Sequence, residues 1–211
     1  SSDLLLARRA NGPRLGYAAD SAREPLAARC YDRTFPIARD LHAVARNRLL
    51  AAAALGYVAE GEPDYGIDTV PGAFPWLPHR PYVVFLTATS RDDKLWPETN
   101  WLALGRHLNG LGFSCVLPGG SAVERERASR LASAIPGAVA VPAMSIPDLA
   151  GLLAGARAVV GVDTGLTHLA VALKIPTVAI YTATDPGLTG VLGAGFYRNL
   201  GGKAQIPAAE A

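Results

Sequence analysis

A chain of 211 residues, 50% hydrophobic and 18% charged, is long and apolar enough to bury a real core, which excludes disorder as its main state and allows one large or two small domains. The formal net charge is only +2. No apolar stretch reaches the roughly 18 residues of a membrane-spanning helix, and no charged start precedes an apolar signal core, so a soluble or peripheral protein is expected.

Charge is unevenly spread. Nine arginines (Arg8, Arg9, Arg14, Arg23, Arg29, Arg33, Arg39, Arg46, Arg48) and five acids fall before residue 49, which leaves that segment about +4 and the remainder about −2. Such a segment can meet the phosphates of a ligand, a nucleic acid or a membrane surface, although a solvated helix face is the commoner use. The opening SSDLLLARRANGPRLGY reads as if already inside a helix, with no Met before Ser1, and creates the expectation of further sequence upstream. LHAVARNRLLAAAALGY then gives an approximate helical stripe through Leu41, Val44 and Leu49. Residues 61–81, dense in Pro and Gly, predict a linker, and the division between two domains is expected at residue 75.

From there the pattern is regular. YVVFLT, FSCVL, AVAV, ARAVVGV and PTVAIY are five short apolar runs separated by helical patterns, which predicts a parallel sheet covered on both faces. The helices carry start signals: Pro97 with Glu98, Ser121 with Glu124, and Ser145 with Asp148. Ligands of such sheets bind beyond the carboxyl ends of the strands, where helix N-termini present free N–H groups. The loops after Thr87, Leu117, Val141, Val162 and Tyr181 are therefore the places for a site. Cys30 and Cys115 are far apart, and Cys115 lies in a strand-like run, so a reducing, cytoplasmic setting fits better than a disulfide framework.

In GVDTGLTHLAVAL, Leu166, Leu169, Ala170 and Leu173 repeat at core spacing while Thr164, Gly165 and His168 share the other side. Gly165 permits close approach to the backbone, Thr164 adds a hydroxyl, and the helix start favours a diphosphate. Asp163 repels phosphate and should face sugar hydroxyls or a cation. The plainer alternative is that Asp163 or Thr164 merely caps the helix.

TATSRDDKLWPETNW adds Thr89 and Ser90 as hydroxyl donors and Lys94 as a cation for a phosphate oxygen, against the alternative that Arg91, Asp92 and Asp93 only pair among themselves. Glu124 fits a capping box with Ser121 or a carboxylate for ribose hydroxyls equally well. Met144 fits a core gap-filler, or a thioether lying against a base. The four histidines, His42, His79, His107 and His168, have no metal-ligand spacing, and no G-x-G-x-x-G follows the first strand, which disfavours metal chemistry and a dinucleotide oxidoreductase.

TSRDDKLWPETNW, GSAVE, AMS, VDTGLTHLAVAL and TDPGLTG, in this order and spacing, resemble the ADP-heptose:lipopolysaccharide heptosyltransferases. SAREPLAARCYDR and LHAVARNR are similar to a segment late in that family's N-terminal domain, so the resemblance covers nearly the whole chain. It implies the α/β GT-B glycosyltransferase architecture of two Rossmann-like domains, the N-terminal, acceptor-binding one incomplete here and the C-terminal one holding the nucleotide sugar.

The implied reaction is inverting transfer of heptose from ADP-heptose to Kdo-lipid A in the inner core of Gram-negative lipopolysaccharide. A related enzyme adding a later heptose, or a non-catalytic nucleotide-sugar binding module, is the alternative. On the family's pattern Thr89, Ser90 and Lys94 hold the diphosphate, Glu124 the ribose and Met144 the adenine edge. Asp163, Thr164, Gly165 and His168 contact phosphate and heptose, and Lys94 stabilises the leaving group. Arg23 and His42 match positions facing the anionic acceptor. The family's general base is an aspartate in a glycine-flanked loop after its first strand, and nothing in this chain matches that position. The chain stops at QIPAAEA, before the family's final returning helix, which puts closure of the two domains in doubt. The resemblance further implies no metal or other cofactor, no nucleic-acid partner, and peripheral contact with the cytoplasmic face of the inner membrane.

Overall fold

The computed structural model describes residues 11–202. The helical opening expected over SSDLLLARR and the closing QIPAAEA lie outside the described residues. Among the described residues two compact units form, one of residues 11–61 with 187–189 and one of 62–186 with 190–202.

The first unit pairs strands β1 (Leu15–Tyr17) and β2 (Arg33–Phe35) in parallel, followed by helix α1 (Ala43–Leu55). His42 opens α1, its Nδ1 accepting from the Val44 N–H at 3.2 Å, and Gly56 closes it in the left-handed conformation at φ 75°. The stripe expected for this helix is only partly seen. Leu41 precedes it, Leu49 is exposed, and Ala52 is its buried residue.

Several arginines of the basic segment are engaged in the fold. Arg14 forks onto Asp32 (2.6 and 3.0 Å) and lowers that carboxyl to about 2. Arg46 lies over the Tyr17 ring and donates to the Ser21 carbonyl, and Arg48 donates to the carbonyls of Glu60 and Gly61.

The second unit contains strands β3 (Tyr82–Leu86), β4 (Ser114–Leu117), β5 (Val139–Ala140), β6 (Ala158–Val162), β7 (Thr177–Tyr181) and β8 (Tyr197–Gly201). Between them run helices α2 (Glu98–Gly110), α3 (Ala122–Ala134), α4 (Ile146–Ala154) and α5 (Gly165–Ala172). The six strands form one parallel sheet in the order β5-β4-β3-β6-β7-β8. All five strands expected from the apolar runs are present, and β8 joins them at the edge.

Strand β3 is buried throughout and supplies both faces. Val83 and Phe85 join one cluster with Trp96, Trp101 and Leu131, while Tyr82, Val84 and Leu86 join another with Leu152 and Ala170. Trp101, fully buried, packs edge-on against Trp96 and tilted against Phe85, each at 4.9 Å between centroids.

The main segment of the first unit ends at Gly61, where the Pro- and Gly-rich stretch begins. The Pro- and Gly-rich stretch has little regular structure, yet it packs on the second unit. Asp64 pairs with Lys174 at 3.4 Å, the Tyr65 hydroxyl donates to the Leu192 carbonyl at 2.7 Å, and the Gly72 N–H donates to the Gly151 carbonyl at 3.0 Å. Phe74 and Trp76 stack on each other and cover the second cluster. Composition signals the lack of helix or strand; it does not say which core the segment covers.

Candidate functional site

Strand order reverses between β3 and its neighbour β6, because the chain runs outward through β4 and β5 before crossing back. Loops leaving β3 and β6 on opposite faces open a crevice there, with helix N-termini facing it. A cavity of about 190 Å³ lies at this point, lined by Leu86 at the end of β3 and Ala88 after it, Gly119, Gly120 and Glu124 after β4, Met144 after β5, and Thr164 and Leu166 after β6.

Glu124 satisfies one of its two readings directly. Its Oε2 accepts from the N–H groups of Gly120 (2.8 Å) and Ser121 (2.9 Å), and the Ser121 hydroxyl accepts from the Glu124 N–H, so the capping box is complete. The carboxylate nevertheless lines the cavity, and Oε1 takes no part in the cap. Gly119 lets α3 lie this close: a Cβ there would stand 2.7 Å from the Arg125 nitrogen. Met144 packs on the Leu152 cluster, as the gap-filler reading has it, and also lines the cavity.

A polar cluster adjoins the cavity beyond β6. Asp163, at the end of β6, is 12% exposed and places Oδ2 2.8 Å from the Lys94 ammonium, itself 17% exposed. The Thr184 hydroxyl donates to the same oxygen at 2.8 Å, and His168 Nε2 lies 4.0 Å from Oδ1. His168, Lys94 and Thr184 together hold the Asp163 carboxyl well below the usual carboxylate range, against the opposing effect of burial. Asp163 thus faces a cation, the Lys94 ammonium. Lys94 reaches it from a short 3-10 turn, Asp92–Lys94, and the Arg91–Asp93 pair weighed for this loop also forms.

Thr89 differs in detail from its expected use. Its hydroxyl proton is donated to the Asp163 carbonyl at 2.8 Å, so it ties the β3 and β6 loops together and is already spent as a donor. Ser90 beside it is exposed.

Thr164 occupies the N-cap position of α5 with extended backbone (φ −148°, ψ 156°), yet its side chain makes no capping bond. The capping alternative therefore accounts for neither Thr164 nor Asp163. Gly165, the first residue of α5, is exposed, and a Cβ added there would meet nothing within 4 Å. The first N–H groups of a helix have no partner within it, which makes this open start suited to an anion.

Sequence reading missed Thr167, which is wholly buried and donates from its hydroxyl to the Val162 carbonyl at 2.8 Å, pinning α5 to the end of β6. Gly161 makes room for it, since a Cβ there would stand 2.2 Å from Thr167 Oγ1. Thr184 stands in the sequence only as the first residue of TDPGLTG, with no role assigned to it, and the fold brings it to Asp163.

In the first unit, Arg23 lines a depression with Arg39 and Arg46, and His42 makes its capping bond to Val44. Among the described residues no cluster of three or more His, Cys, Asp or Glu side chains is arranged to hold a metal ion, and no helix is long and apolar enough to cross a membrane.

Residues 1–204 match Glycosyltransferase family 9 (heptosyltransferase). The chain is 48% identical over 188 residues to lipopolysaccharide heptosyltransferase 1 of Pseudomonas aeruginosa, covering 86% of this chain and 51% of that protein. The structure of E. coli heptosyltransferase WaaC with ADP superposes with a TM-score of 0.81 at 41% identity, over 95% of this chain and 63% of that one. The same enzyme with ADP-2-deoxy-2-fluoro heptose gives 0.78 at 38% identity, over 94% and 62%. The chain thus spans about half to three fifths of the length of these relatives.

Proposed function

The chain belongs to glycosyltransferase family 9, the heptosyltransferases, and from that membership we propose that its second unit binds ADP-heptose and that it serves a lipopolysaccharide heptosyltransferase 1. The observation that carries this reading is the joining of three features at one sheet reversal: an apolar cavity with a carboxylate, an open helix start, and a cluster of cation, acid and histidine.

The cavity suits the nucleoside. Met144, Leu86 and Leu166 offer apolar contact to a base, and Glu124 Oε1 can accept from ribose hydroxyls while Oε2 keeps its cap. The diphosphate then lies over Gly165, where helix N–H groups and the Thr164 hydroxyl donate to it and Lys94 is within reach. A phosphate oxygen competes with Asp163 for the Lys94 ammonium. Once that exchange occurs, Asp163 and His168 are left to meet the hydroxyls of the sugar.

Transfer with inversion proceeds by attack of the acceptor hydroxyl on the anomeric carbon, as the bond from that carbon to the diphosphate oxygen breaks and ADP leaves. Charge builds on the departing diphosphate, so Lys94 and the α5 N–H groups act where they stabilise the transition state more than the ground state; one such donor is worth about 3 kcal/mol. We assign the general base to no residue of this chain. The reaction needs no metal or cofactor on this reading. The acceptor is Kdo-lipid A, whose anionic groups fit Arg23 and Arg39, and the enzyme works peripherally at the cytoplasmic face of the inner membrane without a nucleic-acid partner. The first of the two heptose additions is preferred because the relative at 48% identity is a heptosyltransferase 1.

Calorimetric titration of the chain with ADP-heptose, ADP and UDP-glucose tests the donor assignment. Saturable binding of the two adenine ligands with weak or absent binding of UDP-glucose is expected. A folded chain that binds none of them, or prefers UDP-glucose, overturns it.

A further inference from the structure

The loop that follows β7 holds both partners of the Lys94–Asp163 pair. Thr184 donates its hydroxyl to Asp163 Oδ2 at 2.8 Å, the oxygen that also faces Lys94 Nζ at 2.8 Å. Two residues earlier, Thr182 donates its hydroxyl to the carbonyl of Asp93 at 2.7 Å, inside the short turn that ends with Lys94. One threonine thus fixes the acid through its side chain, and the other fixes the lysine through the backbone beside it.

From this we infer that Thr184 is a positioning residue that keeps the Asp163 carboxylate in place when Lys94 leaves it for a phosphate, with Thr182 setting where Lys94 starts. The inference rests on the nucleotide-sugar reading above and deepens it. A carboxylate end group turns easily about its last torsion. Held only by Lys94, it would follow the ammonium or swing toward water once the pair opened. With Thr184 in place, Oδ2 keeps one donor throughout the exchange and Oδ1 stays on the side of His168, 4.0 Å from Nε2. The contribution of Thr184 is therefore to the sugar end of the donor rather than to its nucleotide end.

The test compares wild type, Thr184→Val and Thr184→Ser in calorimetric titrations with ADP-heptose and with ADP, alongside the thermal midpoint of each protein. Val keeps the shape and removes the hydroxyl; Ser restores the donor. Thr184→Val is expected to lose about tenfold in affinity for ADP-heptose, the size of one hydrogen bond to a charged group. Its loss for ADP should stay within about threefold, with Thr184→Ser close to wild type for both ligands. A Thr184→Val variant that binds both ligands as wild type does, or loses both alike, overturns the assignment while leaving the donor reading standing. Wild-type protein that binds neither ligand overturns both.

Discussion

Lys94 Nζ and Asp163 Oδ2 stand 2.8 Å apart, brought together from a turn after β3 and the end of β6, and each side chain is less than one fifth exposed. Removing either partner leaves the other charge in a partly dry setting. Lys94→Met or Asp163→Asn should cost about 1–3 kcal/mol in urea unfolding. The double variant should cost less than the sum of the two, because the pair is lost only once. In ligand titrations Lys94→Met should also lose affinity for ADP, while a variant that only destabilised the fold would keep it.

The depressed Asp163 carboxyl sets a direction for acid stability. A carboxyl held lower in the folded than in the unfolded chain contributes stability above its unfolded value, about 3.9, and loses it as the pH falls toward the folded value. Wild type should therefore lose stability more steeply than Asp163→Asn from about pH 4 downward. Unfolding free energies measured between pH 6 and pH 3 will show whether the two curves converge on the acid side.

Glu124 allows its two roles to be separated. Gln can still complete the capping box with Ser121 but carries no charge, whereas Ala removes the carboxylate's bonds to the Gly120 and Ser121 N–H groups and leaves the Ser121 hydroxyl on the residue-124 N–H. Glu124→Ala should lose about 0.5–1.5 kcal/mol of stability, and Glu124→Gln little. If the carboxylate also receives ribose hydroxyls, Glu124→Gln should weaken ADP binding at near-unchanged thermal midpoint.

Two glycines of one motif should respond in opposite ways. Gly161→Ala drives a methyl against Thr167 Oγ1, displacing the hydroxyl that bonds the Val162 carbonyl, and should destabilise the fold by about 1–3 kcal/mol. Gly165→Ala meets nothing within 4 Å and should leave stability intact, yet it places a methyl where a diphosphate would lie. Thermal melts paired with ADP titrations separate the two outcomes.

The cysteines offer a check on the core. Burial pushes the Cys115 thiol up to about 12, while Cys30 is only half-buried. A neutral thiol favoured by folding contributes stability below its unfolded value near 8.5 and loses it as the pH rises toward 12. At pH 8 a thiol reagent should label Cys30 readily in the native protein and Cys115 only after denaturant is added.

Much of the second unit was legible because its signals are local. Runs such as YVVFL and TVAIY can hardly be anything but buried strands, and Ser121 with Glu124 is a cap by spacing alone. The edge strand β8 was not seen: YRNLG carries an arginine and an asparagine and alternates between half-buried and exposed, which looks like a loop without its neighbour β7. The strand-end rule pointed to Asp163, Thr164 and Gly165 and to the loop with Lys94, residues that the fold brings together. What it could not supply was partnership across the fold. Thr89 bonds a carbonyl 74 positions away and Thr182 one 89 positions away, and no local pattern marks either threonine for that use.

The most direct measurement is a crystal structure of the chain with ADP-heptose. The adenine is expected beside Met144, the diphosphate over Gly165, and Lys94 Nζ moved from Asp163 to a phosphate oxygen, with Asp163 still bonded to Thr184 and facing the sugar. A donor bound elsewhere, or bound there with Lys94 still paired to Asp163, would contradict it.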